Sequence, residues 1–182
     1  MENGQIFFIG PASVGKTTIG KMLASKINYA FVDVDAEFCK QIQLIPNYVD
    51  EFGYKKYCEE NSKLVDKLIS ESSAETVFAT PSGYLVHENS PHLIEKHLSI
   101  IKNGVSILLL PSRDPLLGVG EIVRRQLSRW SDCYAEKERK RFLERFEKYK
   151  NYGDIQIYSP EKPNVIVGEI LEVQISPNLY NW

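Results

Sequence analysis

The run Gly10-Pro11-Ala12-Ser13-Val14-Gly15-Lys16-Thr17 spells G-x-x-x-x-G-K-T, a complete phosphate-binding loop, and no other stretch of the chain narrows the fold as much. The apolar run Ile6-Phe7-Phe8-Ile9 before it reads as a buried strand, and Ile19, Met22, Leu23 and Ile27 after it recur at helical spacing. Strand, loop and helix in that order are the context the motif needs. Glycines let the backbone curl so that several N–H groups point inward at phosphate oxygens, and the helix N-terminus adds its partial positive charge. Lys16 is placed to reach the β and γ phosphates, and the Thr17 hydroxyl to ligate Mg²⁺. The chain is therefore expected to bind a nucleoside triphosphate.

Composition bounds the rest. The 182 residues fit one domain, 1–182, with enough chain to bury a proper core. A net charge of −2 gives no reason to expect a nucleic acid or a membrane surface as partner. No apolar run has the length of a membrane span, and the first residues carry no basic region or cleavable apolar segment. The three cysteines, Cys39, Cys58 and Cys133, are widely spaced and suggest neither a disulfide framework nor a zinc site, so a reducing cytoplasm is expected, and the chain is expected to act as a monomer. His87, His92 and His97 are spaced by five, which does not put them on one helical face.

Along the chain, strands and helices alternate. Strands are expected over 29–34, 76–80, 105–110 and 154–158. Helices are expected over 36–44, closed by Pro46, over 55–70, from Pro91 with the stripe Ile94, His97, Leu98 and Ile101, and over 121–127, 135–150 and 164–173. Such alternation predicts an α/β fold, a parallel sheet with helices on both faces, whose ligands sit beyond the carboxyl ends of the strands. Gly10, Asp33, Asp35 and Gly83 all fall there.

More specific features follow the loop. Phe31-Val32-Asp33-Val34-Asp35 puts D-x-D at the end of the second strand, sixteen residues after Thr17. Arg145-Phe146-Glu147-Lys148-Tyr149 carries an arginine four residues before a tyrosine, at the edge of the apolar stripe Phe142, Phe146, Tyr149. Ser159-Pro160-Glu161-Lys162-Pro163 precedes the final helix. Taken together, these stretches resemble the shikimate kinases, small P-loop phosphotransferases of the nucleoside-monophosphate-kinase type that serve aromatic amino acid biosynthesis, over residues 5–173.

The resemblance implies a P-loop kinase three-layer sandwich with a lid at about 126–137, ATP and a small-molecule acceptor as partners, and Mg²⁺ as cofactor. It implies that Gly10, Ser13, Val14, Gly15, Lys16, Thr17 and Thr18 hold the phosphates, and that Thr17 and Asp33 hold the metal, the latter through water. Arg124 or Arg125 would lie against the adenine, Arg125 being the assignment adopted. Lys16, Asp35 and the lid arginine Arg129 would be catalytic, while Asp35, Gly83 and Arg145 would bind the acceptor, Arg145 through its carboxylate. Trp130, beside Arg129, would report lid movement.

Two departures fall in the acceptor half. The family's G-E-x-x-F-R-x-x-E is here Gly53-Tyr54-Lys55-Lys56-Tyr57-Cys58-Glu59-Glu60-Asn61, so the clamp arginine falls on Cys58 and its orienting acid on Asn61. A thiol cannot replace a bidentate guanidinium. The family's glycine triplet is Pro81-Ser82-Gly83, and the proline has no N–H to offer. Three readings follow: a shikimate kinase with its clamp shifted to Arg145 and Lys55 or Lys56; a kinase of another small polyhydroxy or carbocyclic acceptor; or a nucleotide-binding regulatory protein without catalysis.

Overall fold

The computed structural model describes residues 4–87, 90–127 and 132–175, with side chains given among these outside 125–127, 132–135 and 174–175. At its centre lies β1 (Ile6–Ile9), every residue buried because both faces of the strand are covered. The other strands are β2 (Ala30–Asp33), β3 (Thr76–Ala79), β4 (Val105–Leu110) and β5 (Ile155–Tyr158). All pair in parallel, in the order β2-β3-β1-β4-β5. Register places Phe7 opposite Phe78, and their rings stack at 5.3 Å. The chain lays β2 and β3 on one side of β1 and β4 and β5 on the other, which opens a crevice at the carboxyl end of β1. The phosphate-binding loop begins there.

Among the described residues eight helices flank the sheet: α1 (Lys16–Ile27), α2 (Val34–Gln41), α3 (Ile45–Phe52), α4 (Tyr54–Glu71), α5 (Pro91–Ile101), α6 (Pro115–Leu127), α7 (Asp132–Tyr149) and α8 (Pro163–Ile175). Helix α1 packs on β1, β2, β3 and α8, while α6 packs on α7. Among the described residues no helix is long and apolar enough to cross a membrane.

Several boundaries differ from expectation. Strand β2 stops at Asp33, because Asp33 Oδ1 accepts a hydrogen bond from the Ala36 N–H at 3.1 Å and caps α2. Asp35 therefore stands in the first turn of a helix and not in a strand. Pro46 closes nothing: it lies in the first turn of α3, where a missing N–H costs little. Helix α6 starts six residues earlier than position 121, since Asp114 Oδ1 accepts from the Leu116 N–H at 2.8 Å. On α5 the buried side chains are Leu93, His97 and Ile101, with Ile94 turned aside.

Candidate active site

The loop after β1 has the conformation its glycines allow. Gly10 and Gly15 take φ of 135° and 103°, a region that side-chain-bearing residues seldom adopt. The Lys16 ammonium folds back over the loop and donates to the Gly10 and Pro11 carbonyls at 2.8 and 2.7 Å. Burial lowers its pKa to about 8, and Arg145 pushes the same way, against the opposing charges of Asp35 and Asp33. Beside it, Thr17 Oγ1 donates to Asp33 Oδ2 at 2.6 Å. Asp33 thus caps α2 with one oxygen and meets Thr17 with the other. A hydroxyl and a carboxylate oxygen side by side form a hard-donor set that fits Mg²⁺, which takes one or two protein oxygens and completes its shell with phosphate and water.

Two clefts open at this end of the sheet. The first, of about 740 Å³, is lined by the loop from Ala12 to Ile19, by Asp33, by Glu121 and Arg124, and by Pro160 to Pro163. Arg124 on α6 faces this space, with Glu121 accepting from its Nε and Nη2 at 3.0 and 2.8 Å. The side chain of Arg125, and the whole of Arg129 and Trp130, lie outside the described residues. The second cleft, of about 660 Å³, is lined by α3 and the start of α4, by Pro81 to Tyr84, Val86 and His87, and by one face of α7. Asp35 and Ser82 line both clefts. Burial raises the Asp35 pKa, and the Lys16 charge works against that rise.

Arg145 forms the wall of the second cleft. Its Nη1 donates to Ser82 Oγ at 2.7 Å and its Nη2 to the Tyr54 hydroxyl at 3.4 Å. Behind it Phe142, Phe146 and Tyr149 are buried, which holds α7 in place. The Tyr149 hydroxyl donates to the Ser82 carbonyl at 3.3 Å and accepts from the Leu85 N–H at 3.4 Å, so the segment after β3 is tied to the same helix. Gly83 lies under the Tyr54 hydroxyl: a methyl group at its α-carbon would be 2.5 Å from that oxygen. Lys55 faces the cleft, whereas Lys56 turns out to Glu59 at 3.6 Å.

A shikimate kinase family model matches residues 12–174. The chain belongs to the shikimate kinase family. The shikimate kinase of Blochmanniella floridana is 29% identical over 181 residues, covering 93% of this chain and 92% of that protein. The structure of shikimate kinase from Acinetobacter baumannii in complex with shikimate superposes with a TM-score of 0.75 at 21% identity, over 97% of this chain and 95% of that one. The Aquifex aeolicus shikimate kinase gives a TM-score of 0.72 at 23% identity, over 97% and 99% of the two chains. At those identities the two superpositions establish the fold.

Against the shikimate kinase pattern, the altered positions prove to be rewired rather than simply lost. Cys58 is buried, and burial pushes its thiol up to about 11, so it stays neutral and unreactive beside the Tyr54 hydroxyl. Asn61 Nδ2 donates to the Tyr57 hydroxyl at 3.5 Å, which in turn donates to Asp35 Oδ1 at 3.2 Å. Sequence reasoning missed Tyr54 and Tyr57. The signal was available, for they occupy the Glu and Phe positions of the family's G-E-x-x-F-R-x-x-E. His87 and His97, ten positions apart in the sequence, bring their rings edge to face at 5.4 Å behind Gly83.

Proposed function

We propose that the chain is an ATP-dependent kinase that phosphorylates a hydroxyl of shikimate. The observation that carries this reading is the meeting of the two clefts at Asp35 and Ser82, with Lys16 on the nucleotide side and Arg145 on the other. A γ-phosphate and an acceptor hydroxyl brought together at that junction stand in line for transfer.

Phosphoryl transfer asks little covalent chemistry of the protein; alignment and charge neutralisation do most of the work. The backbone N–H groups of Ser13 to Thr18 and the Lys16 ammonium hold the phosphates, phosphate oxygens taking the place of the Gly10 and Pro11 carbonyls on Lys16. Thr17 and Asp33 hold Mg²⁺, which when bound neutralises charge on the phosphates of ATP. The acceptor oxygen bonds to the γ-phosphorus as the bond to the ADP oxygen breaks, and the hydroxyl proton leaves along its hydrogen bond to Asp35. Arg145 pairs with the acceptor carboxylate, and Gly83 lines the acceptor cleft beside it. Arg124 or Arg125 faces the adenine, and Arg129 comes from the lid to the transferring group. One domain acting as a monomer in the cytoplasm suffices for all of these roles.

A second reading, a kinase of a different small polyhydroxy or carbocyclic acceptor, is favoured by Cys58 and Asn61, which remove the family's second carboxylate clamp. ADP release by the purified protein, measured with shikimate, gluconate and nucleoside monophosphates, separates the two. Turnover dependent on shikimate supports the first reading, and turnover with gluconate alone replaces it by the second. ADP release with no acceptor responding removes both.

A further inference from the structure

Tyr54 opens α4 and crosses the acceptor cleft, so that its hydroxyl stands over Gly83 and accepts from Arg145 Nη2 at 3.4 Å. Its other close neighbour is the neutral Cys58 thiol, a weak hydrogen-bond partner standing where the family places a guanidinium. The phenolic O–H is thus held against the arginine without a strong acceptor of its own. A carboxylate arriving on Arg145 would supply that acceptor, because a charged oxygen is a far better partner for O–H than a thiol. The same wall carries a second group short of partners. His87 is only 8% exposed, lines the cleft, and neither of its ring nitrogens has a hydrogen-bond partner among the described residues. Its Cε1 lies 3.9 Å from the point a methyl on Gly83 would reach, beside the Tyr54 oxygen and Arg145 Nη2. Tyr54, Arg145 and His87 therefore converge on one glycine, and a wall with unspent polar capacity suits a polar ligand.

We propose that Tyr54 is an acceptor-recognition residue, its hydroxyl donating to the acceptor carboxylate alongside Arg145 in the place of the missing arginine. The assignment rests on the kinase reading above and adds to it the second carboxylate donor. A neutral phenol gives geometry without charge, so the site favours a singly charged carboxylated polyol over a doubly charged acceptor. Because Tyr54 is half-exposed and its ring remains in Tyr54→Phe, that variant removes the donor without opening the core.

The test is steady-state kinetics of the wild type, Tyr54→Phe and Tyr54→Ala, using whichever carboxylated polyol the wild type phosphorylates fastest, together with the methyl ester of the same acceptor. Tyr54→Phe is expected to raise KM for the free acid about tenfold, the scale of one hydrogen bond to a charged group, with kcat and the KM for ATP within about twofold. For the methyl ester the difference between wild type and Tyr54→Phe should disappear. An unchanged KM for the acid overturns the assignment, as does a fall in KM in Tyr54→Ala, which would make the tyrosine a plug in the cleft. A wild type that phosphorylates no carboxylated polyol overturns the kinase reading and this assignment together. Turnover that survives with Tyr54→Phe indifferent overturns the assignment alone.

Discussion

The Tyr57 hydroxyl donates a hydrogen bond to Asp35 Oδ1 across 3.2 Å, and Asn61 supports it from behind. Where the family pattern has an acid to orient an arginine, this chain has an amide that orients a tyrosine onto the carboxylate shared by the two clefts. One oxygen of Asp35 is thereby occupied and its direction set, which in the proposed kinase reading leaves the other for the acceptor hydroxyl. Tyr57→Phe should lower kcat about tenfold, the equivalent of about 1.5 kcal/mol for a hydrogen bond to a charged group, with the KM for ATP unchanged. A kcat equal to the wild type would mean that Asp35 is positioned by α2 alone.

Lys16 sits at the other side of the junction. In Lys16→Ala the buried carbonyls of Gly10 and Pro11 lose a donor, a local cost that leaves the apolar core untouched, so the fold should persist by circular dichroism. Turnover should fall at least ~10²-fold, the usual scale for one preorganised charge at a transition state. Near-normal ADP release with every acceptor would remove Lys16 from the phosphate site.

Restoring the family's residues should not restore its clamp. In Cys58→Arg with Asn61→Glu, the new guanidinium would meet the Tyr54 ring and hydroxyl, which already border Cys58. The new carboxylate would replace the amide that supports Tyr57 and would stand near Asp35, a like charge in a buried place. The double variant is expected to have a higher KM for shikimate than the wild type. Adding Tyr54→Glu, which leaves Tyr57 as the one departure from the family's stretch, should bring the KM back down. A lower KM in the double variant without a change at Tyr54 would show that the phenol yields space freely.

Most of the nucleotide half was legible in the sequence because its signals are local. The loop, the buried strand before it and the helix after it lie within one stretch of chain, and Asp33 follows at a fixed spacing. Arg145 could be found because the stripe Phe142, Phe146, Tyr149 puts it at the edge of a buried face. Helix α3 was missed because it is short and has no side-chain cap at its start; packing holds it, with Tyr48 edge-on to Phe38 at 5.3 Å. The acceptor half was obscured for a related reason. Tyr54 meets Arg145 across 91 positions of sequence and Tyr57 meets Asp35 across 22, contacts that no periodicity announces. Loss of a motif arginine reads in sequence as a gap, whereas in space the neighbouring tyrosines have filled it.

The buried histidines make stability depend on acid. His97 Nδ1 lies 2.7 Å from the Tyr84 carbonyl, so it carries the proton, and Nε2 accepts from the Ser62 hydroxyl at 3.0 Å. Ser62 in turn accepts from Lys96 at 2.9 Å, and the Tyr84 ring stacks on the imidazole at 4.0 Å. Burial, opposed by the Tyr84 carbonyl and reinforced by His87 and Lys96, lowers the His97 pKa from 6.5 to about 4; burial with the Arg145 charge does the same for His87. The folded pKa is depressed, so the unfolded chain binds the extra protons between these values. Stability is then fully present above about pH 6.5 and is lost as pH falls towards about 4, where the folded state also takes up its protons. For His97 the loss is on the order of 3 kcal/mol. Urea unfolding measured from pH 7.5 to 4 should show the decline, and His97→Gln should remove about one proton from its slope. An identical slope in the variant would mean that His97 titrates in the folded protein as it does in the unfolded chain.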